Sequence, residues 1–142
     1  MARTESYRVG IYSRLSVDHN DRKAESIENQ IEMIRQYIAE ENNRITNGRK
    51  LTVHDIYIDR GTSGISFQRE GFERLMDDVR NHVVDCIIVK DLSRFGRDYV
   101  ETGNYIEKIL PFLGVRFIAV ADGFDSVAED AAEQKLTMNL KN

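Results

Sequence analysis

Residues 9–16 form an apolar run that ends in polar residues: Val9-Gly10-Ile11-Tyr12-Ser13-Arg14-Leu15-Ser16. Its first half, Val9 to Tyr12, predicts a short β-strand. Because the side chains of a strand alternate between its two faces, Tyr12, Arg14 and Ser16 share one face. The sequence therefore predicts that a strand brings an arginine and a hydroxyl together to the end of a sheet.

A regular alternation of helices and strands follows this first strand. Isoleucines at helical spacing after Ser26, the predicted N-cap, indicate a helix. The predicted elements after the first strand are a helix containing Ile27, Ile31, Ile34 and Ile38, strand 53–58, helix 72–79, strand 86–89, helix 100–113 ending at Gly114, and strand 115–120. Such alternation is typical of a parallel sheet. The expected fold is a single α/β domain with a mainly parallel, four- to five-stranded sheet and helices on both faces.

The composition is that of an ordinary soluble domain. Of the 142 residues, 41% are hydrophobic and 31% are charged. No apolar run approaches the roughly 20 residues that span a bilayer, and the first six residues lack the apolar core of a signal peptide. We therefore expect a cytoplasmic protein without a membrane partner. The single cysteine, Cys86, lies in an apolar run and is predicted to be a small buried hydrophobic residue.

The charge and the missing motifs exclude several classes of function. Three scattered histidines without a second ligand at metal spacing predict no metal site. The glycine motifs of dinucleotide and P-loop sites and the Gly-x-Ser-x-Gly motif of hydrolases are absent, so no cofactor is expected. Twenty Lys and Arg against 24 Asp and Glu give a net charge of −4, the wrong sign for binding nucleic acid with the whole surface. Any nucleic-acid site must therefore be local.

A second polar segment also follows an apolar strand: Lys90-Asp91-Leu92-Ser93-Arg94-Phe95-Gly96-Arg97-Asp98. Arg94 and Arg97 are three residues apart, which makes them neighbours on one face if the segment is helical. Since the carboxyl ends of parallel strands meet at one edge, we expect both arginines beside Ser16, with Arg69 within reach. Guanidinium groups bind phosphate oxygens bidentately, so this arrangement is suited to attack on a phosphodiester by the serine hydroxyl.

Simpler interpretations of these residues stay open. Ser16 is also consistent with an ordinary surface serine at a strand end. Arg94 and Arg97 are also consistent with a solvated rim that pairs with Asp91 and Asp98 and adds little stability.

Four linked motifs resemble the catalytic domain of the serine site-specific recombinases, the resolvase and invertase family. They occur in the family's order between about Arg8 and Asp125. The segment Lys90-Asp91-Leu92-Ser93-Arg94 is most similar to the corresponding motif of the large serine recombinases, the integrases and transposon excision enzymes. The motifs are Tyr12-Ser13-Arg14-Leu15-Ser16, Ser26-Ile27-Glu28-Asn29-Gln30, Asp59-Arg60-Gly61-Thr62-Ser63-Gly64 with Arg69-Glu70-Gly71-Phe72, and Val89-Lys90-Asp91-Leu92-Ser93-Arg94-Phe95-Gly96-Arg97-Asp98.

The resemblance implies roles for particular residues. Ser16 would be the nucleophile, and the arginines around the scissile phosphate would be Arg14, Arg69, Arg94 and Arg97. The supporting residues would be Tyr12, Gln30, Asp59, Ser63, Lys90, Asp91 and Ser93. Small resolvases carry an acid where this chain has Ser93. The proton donor to the departing 3′ oxygen therefore stays open between Asp91 and an arginine.

The implied function is cleavage and rejoining of DNA at specific sites through a 5′-phosphoserine intermediate, without a cofactor. The implied partners are DNA and further copies of the chain, in a homodimer and a synaptic tetramer, and the implied source is bacterial, phage or transposon. Residues 1–127 would form the catalytic domain and residues 128–142 the truncated start of an oligomerisation helix. The family's DNA-binding region would be absent, leaving the fragment inactive or nearly so.

Two other classes of function remain as alternatives. A small-molecule phosphohydrolase would use the same serine and arginines, but it requires an enclosed pocket. A non-catalytic DNA-docking or assembly module would keep the fold while losing the serine or the arginines, and all of them are present.

Overall fold

The computed structural model describes residues 6–15, 26–60 and 69–128. In this part of the chain a five-stranded sheet has the order β2-β1-β3-β4-β5. The strands are β1 (Tyr7–Arg14), β2 (Leu51–Asp59), β3 (Cys86–Val89), β4 (Arg116–Ala119) and β5 (Phe124–Asp125). Neighbouring strands from β2 to β4 are parallel, and β5 is antiparallel to β4. The mainly parallel sheet predicted from the sequence is confirmed.

Four α-helices connect these strands: α1 (Ile27–Arg44), α2 (Glu70–Arg80), α3 (Tyr99–Asn104) and α4 (Leu110–Leu113). Ser26 is the N-cap of α1, as predicted, and its Oγ accepts a hydrogen bond from Asn29 N at 3.1 Å. The helix predicted over 100–113 is interrupted by a π-helical segment, Tyr105–Ile109. This segment lies just before Pro111, which has no N–H to continue the α-helical pattern. None of the described helices is both long and apolar enough to cross a bilayer.

The two faces of the sheet are covered by different helices. Helix α1 covers one face, where Ile34 and Ile38 pack against a cluster that includes Val9, Ile11 and Cys86. Helix α2, the π-helical segment and α4 cover the other face over a larger cluster, whose aromatic members include Tyr12, Tyr57, Phe72, Phe95 and Phe117. Cys86 is fully buried, which confirms its predicted place in the core. This layering leaves the carboxyl ends of the strands between the two helical layers.

Gly10 lets α2 approach β1 closely. A Cβ at this position would lie 2.7 Å from Leu75 Cδ1 and 3.0 Å from Tyr57 Cε1, both closer than ordinary carbon contacts. The absence of a side chain at Gly10 therefore sets the distance between the sheet and α2, and α2 in turn carries part of the site described below.

We expect Gly10→Ala to destabilise the domain by about 1–3 kcal/mol, because the added methyl overpacks the layer between β1 and α2. The matched control is Gly103→Ala in α3, where no described atom lies within 4 Å of the added Cβ. There alanine should stabilise the helix by about 0.5–1 kcal/mol. Urea unfolding curves measure both changes. A Gly10→Ala protein as stable as the parent would contradict this packing.

Candidate active site

Functional side chains gather at the carboxyl ends of three neighbouring strands, β2, β1 and β3. Arg14 is the last residue of β1 and Asp59 is the last residue of β2, and the parallel register places them directly opposite each other. Lys90 and Asp91 follow β3. Arg14, Asp59, Lys90 and Asp91 therefore meet at one edge of the sheet. Ser16, beside which the arginines are predicted to lie, is outside the described residues.

The carboxylate of Asp59 joins β1, β2 and α2. Its Oδ2 accepts hydrogen bonds from Tyr12 Oη at 2.7 Å and Phe72 N at 3.0 Å, and its Oδ1 accepts one from Gly71 N at 2.8 Å. The residue at the N-cap of α2, Arg69, makes no capping bond with its side chain. Asp59 therefore supplies the cap from a neighbouring strand, where a negative charge also suits the positive end of the helix.

Gly71 makes this contact possible. A Cβ at position 71 would lie 2.7 Å from Ile58 O and 3.1 Å from Asp59 Oδ1. The first turn of α2 consequently packs its backbone directly on the end of β2. This close approach fixes the starting point of α2, and with it the Cα of Arg69.

Arg69 connects α2 to the segment after β3. Its Nη1 donates to Glu101 Oε1 at 2.8 Å, and its Nη2 donates to Phe95 O. The guanidinium stacks on the Phe72 ring, with Cζ 3.7 Å from the ring centroid. Only 10% of the side chain is exposed. Arg69 thus reaches the predicted edge, and several independent contacts set its orientation.

Arg14 binds the same segment from the other side. Its Nη2 donates to Ser93 O at 2.6 Å and to Gly96 O at 3.4 Å, and its Nε lies 3.5 Å from Arg94 O. Together with the bond from Arg69 to Phe95 O, the two arginines contact four consecutive carbonyl groups of residues 93–96. Segment 93–96 is therefore held between two guanidiniums that come from other elements.

The carbonyl oxygen of Arg14 is also shared. It accepts a bond from Gln30 Nε2 at 3.2 Å and one from Arg94 Nη1 at 3.4 Å. Burial is the main cause that lowers the pKa of the Arg14 guanidinium, and the positive charges of Arg69 and Arg94 contribute to the same shift. The lowered pKa of Arg14 thus reflects mainly its burial, and the neighbouring guanidiniums add to it.

Arg94 and Arg97 do not lie on one helical face, so the helical arrangement considered for them is wrong. A short 3₁₀ turn, Leu92–Arg94, ends at Arg94, and residues 96–98 bend away before α3 begins. A Cβ on Gly96 would lie 2.8 Å from Thr102 N, so the bend packs tightly on α3. Arg94 is consequently buried, with 9% of its surface exposed, whereas 53% of the Arg97 side chain is exposed.

Asp91 is surrounded by groups that stabilise its negative charge. Ser93 Oγ donates to Asp91 Oδ1 at 2.6 Å, Lys90 Nζ lies 3.3 Å from Oδ2, and Arg94 Nε lies 3.9 Å from Oδ1. Partial burial opposes ionisation, but the Ser93 hydroxyl and the two cations lower the pKa of Asp91 below its ordinary value. Asp91 is therefore a carboxylate near neutral pH. The pairing of Arg94 with Asp91 that the simpler interpretation predicts is therefore present.

The sequence analysis missed Glu101, which links two of the arginines. Its Oε1 accepts from the Arg97 backbone N–H at 2.6 Å as well as from Arg69, and its Oε2 lies 3.3 Å from Arg97 Nε. Asp98 does not pair with Arg97 here but caps α3, accepting from Glu101 N at 2.8 Å. The spacing Asp98-x-x-Glu101 matches a capping box, and that pattern was the available signal.

Ionisation of Glu101 is favoured by its surroundings. Burial raises the pKa of the carboxyl, but the Arg97 backbone N–H and the Arg69 guanidinium outweigh it and hold the pKa below its usual range. Besides Asp59, the site thus contains the carboxylates of Asp91 and Glu101, which partly neutralise the cluster of guanidiniums.

Two of the predicted site residues, Ser16 and Ser63, lie outside the described residues. The remaining predicted residues are brought to one edge of the sheet, as the contacts above show. Among the described residues, no group of three or more His, Cys, Asp or Glu side chains is arranged to hold a metal ion.

A cleft of about 400 Å³ lies beside the site, between α2 and α3. Three guanidiniums and three carboxylates line it together with three large apolar or aromatic side chains, so its charges balance. The lining residues are Arg69, Phe72, Glu73, Met76, Asp77, Arg80, Arg97, Glu101 and Tyr105.

Solved structures of recombinases have a similar fold. The N-terminal catalytic domain of TP901-1 integrase is 24% identical, with a TM-score of 0.74, and the match covers 95% of this chain and 93% of that one. A resolvase family site-specific recombinase from Streptococcus pneumoniae is 23% identical, with a TM-score of 0.68 and coverage of 98% and 88%. The C-terminal catalytic domain of ISC1926 TnpA, an IS607-like serine recombinase, is 26% identical, with a TM-score of 0.59 and coverage of 94% and 77%.

A search of curated protein sequences finds no match to this chain. The family model described as the resolvase N-terminal domain, however, matches residues 9–141, nearly the whole sequence. With the arginines gathered at the carboxyl edge of the sheet, this match identifies the molecule. The chain belongs to the resolvase N-terminal domain family and is the catalytic domain of a site-specific serine recombinase, an enzyme that acts on DNA.

Proposed function

We propose that Ser16 attacks a DNA phosphodiester while Arg14, Arg69, Arg94 and Arg97 stabilise the phosphoryl oxygens. The observation that carries this proposal is the shared segment: Arg14 and Arg69 bind consecutive carbonyls of residues 93–96. Arg94 and Arg97 lie in or next to that segment. Ser16 follows Arg14 by only two residues in the sequence.

The reaction conserves phosphodiester bonds. Ser16 Oγ loses its proton and forms a bond to phosphorus, while the bond from phosphorus to the 3′ oxygen breaks and that oxygen takes up a proton. The product is a 5′-phosphoserine link and a free 3′ hydroxyl. Attack by another 3′ hydroxyl reverses these steps on the exchanged strand. Covalent catalysis of this kind needs no ATP, because each bond is exchanged for one of the same type.

The arginines supply the electrostatic part of the catalysis. Negative charge grows on the phosphoryl oxygens in the transition state, and guanidiniums already fixed in place stabilise it without reorganisation. The lowered pKa of Asp91 leaves this carboxyl without a proton to donate near neutral pH, whereas a guanidinium stays protonated. Of the two candidates for protonating the 3′ oxygen, we therefore favour an arginine, with Asp91 holding Lys90 and Arg94.

The alternative functions are less well supported. A phosphohydrolase needs an enclosed pocket for its phosphate, whereas the cleft beside Arg69 and Arg97 contains the carboxylates of Glu73, Asp77 and Glu101. A non-catalytic docking module would not need the dense set of contacts that orients Arg14 and Arg69. Family membership favours the recombinase over both.

We also propose that the active enzyme is a homodimer that pairs into a synaptic tetramer on DNA, with residues 128–142 contributing to the contact between copies. The family match extends through residue 141, and Val127, just before this segment, is 56% exposed. Alanine and leucine residues recur at helical spacing from Ala128 to Leu140, a pattern that suits a helix with one apolar face.

The nucleophile is tested by Ser16→Ala in the intact recombinase that contains this domain. We expect cleavage and the covalent protein–DNA adduct to disappear while the melting temperature stays within a few degrees of the parent. Denaturing gels of the protein with labelled DNA measure the adduct. An adduct formed by the folded Ser16→Ala protein would show that another residue is the nucleophile.

The arginines are tested by Arg94→Lys and Arg97→Lys. A lysine keeps the charge but cannot form a bidentate fork, so each change should lower the rate of adduct formation by ~10²–10³, the loss typical for one preorganised stabiliser. Arg44→Lys is the matched control, because the Arg44 side chain is 72% exposed and, among the described residues, pairs with Glu41 on α1. Wild-type rates of adduct formation for both Arg94→Lys and Arg97→Lys would show that these arginines have no catalytic role.

A further inference from the structure

Arg69 and Arg97 come from different elements but bind one carboxylate. Glu101 Oε1 accepts from Arg69 Nη1 at 2.8 Å and from the Arg97 backbone N–H at 2.6 Å, and Oε2 lies 3.3 Å from Arg97 Nε. Two guanidiniums at one phosphate repel each other, and an anion between them offsets this repulsion. We infer that Glu101 is a positioning residue that holds Arg69 and Arg97 ready for the scissile phosphate, an inference that rests on the function proposed above.

Helix α3 fixes the position of Glu101. Glu101 is the third residue of α3, and Asp98 caps this helix by accepting from Glu101 N at 2.8 Å. A negative side chain in the first turn is favoured by the positive end of the helix. The carboxylate is therefore set by the fold and does not depend on substrate for its place.

An opposing interpretation makes Glu101 a block that occupies the place of the phosphate. The contacts argue against it. Arg69 meets Glu101 through one terminal amino group, Nη1. Arg97 meets it with its backbone N–H and its Nε, so this contact leaves the two terminal amino groups of Arg97 available to fork a phosphate. The Arg97 side chain is 53% exposed, whereas Arg69 and Glu101 are 10% and 21% exposed. The bond between Arg69 and Glu101 is thus largely buried, so the carboxylate does not occupy the exposed place of a phosphate.

A second alternative limits Glu101 to stabilising the start of α3. The substitution Glu101→Gln separates this role from positioning. Glutamine keeps an oxygen that can accept from the Arg97 backbone N–H, so the local fold is retained. It removes the negative charge between the guanidiniums, so the contact that links Arg69 to Arg97 is weakened.

The test compares Glu101→Gln with Glu107→Gln in the intact recombinase. Glu107 is exposed in the π-helical segment after α3, and its substitution removes the same charge away from the site. At saturating DNA we expect Glu101→Gln to form the serine adduct about 10–100-fold more slowly, the loss typical when a group that orients a functional side chain is removed. DNA affinity should be unchanged or tighter, because a negative charge is lost. Glu107→Gln should react like the parent.

Three outcomes would overturn the inference. If the Glu101→Gln enzyme reacts as fast as the parent, the carboxylate is dispensable. If it reacts faster, the carboxylate blocks the site. A parallel fall in DNA affinity, melting temperature and rate would make it purely structural. If the parent enzyme forms no adduct at Ser16, the proposed function fails instead, and this is seen before any variant is compared.

A measurement without DNA tests the positioning directly. In the 142-residue chain, the NMR signals of the Arg69 and Arg97 Nε–H groups should shift and exchange faster with water in Glu101→Gln than in Glu107→Gln. Unchanged signals in Glu101→Gln would contradict the role of the carboxylate whether or not the reaction proceeds as proposed.

Discussion

The buried carboxylate of Asp59 is the interaction on which the rest of the site depends. It binds the Tyr12 hydroxyl on β1 and two backbone N–H groups at the start of α2. Loss of such a hydrogen-bonded buried charge leaves several donors without partners, which is costly. Because Arg69 immediately precedes α2, this one group fixes both the helix and the arginine that begins it. The sheet edge and the site are therefore stabilised by the same bonds.

A second constraint is that the arginines of the site bind carbonyl and carboxylate groups of the protein itself. Arg14 and Arg69 hold the carbonyls of residues 93–96, and Glu101 connects Arg69 to Arg97. Positive groups that would repel one another are thus interleaved with carbonyl dipoles and carboxylates. Such an arrangement keeps guanidiniums oriented in the absence of substrate, as electrostatic catalysis requires. The domain carries a net negative charge but still presents a local cluster of arginines. An acidic domain can therefore act on DNA.

The sheet and most of the site could be predicted from sequence because they depend on local patterns. The alternation of strand and helix patterns along the sequence predicts a parallel sheet. Because parallel strands end at the same edge, Arg14, Asp59 and Asp91 come together there. Glu101 could not be found in this way, because its bond to Arg69 spans 32 residues and depends on how α3 packs against α2. The helical pairing of Arg94 and Arg97 failed because Gly96 packs against Thr102 and turns the chain.

We propose that the folded domain presents its arginines already arranged for a phosphodiester. The most direct measurement is a crystal structure of the intact recombinase with Ser16→Ala, bound to uncleaved DNA. We predict that the scissile phosphate, next to the substituted residue 16, lies within hydrogen-bonding distance of Arg94 and Arg97. The bonds from Arg14 to residues 93–96 and from Arg69 to Glu101 should be retained in this complex. A phosphate bound elsewhere, or a complex in which these internal bonds are broken and the arginines rearranged, would contradict the account.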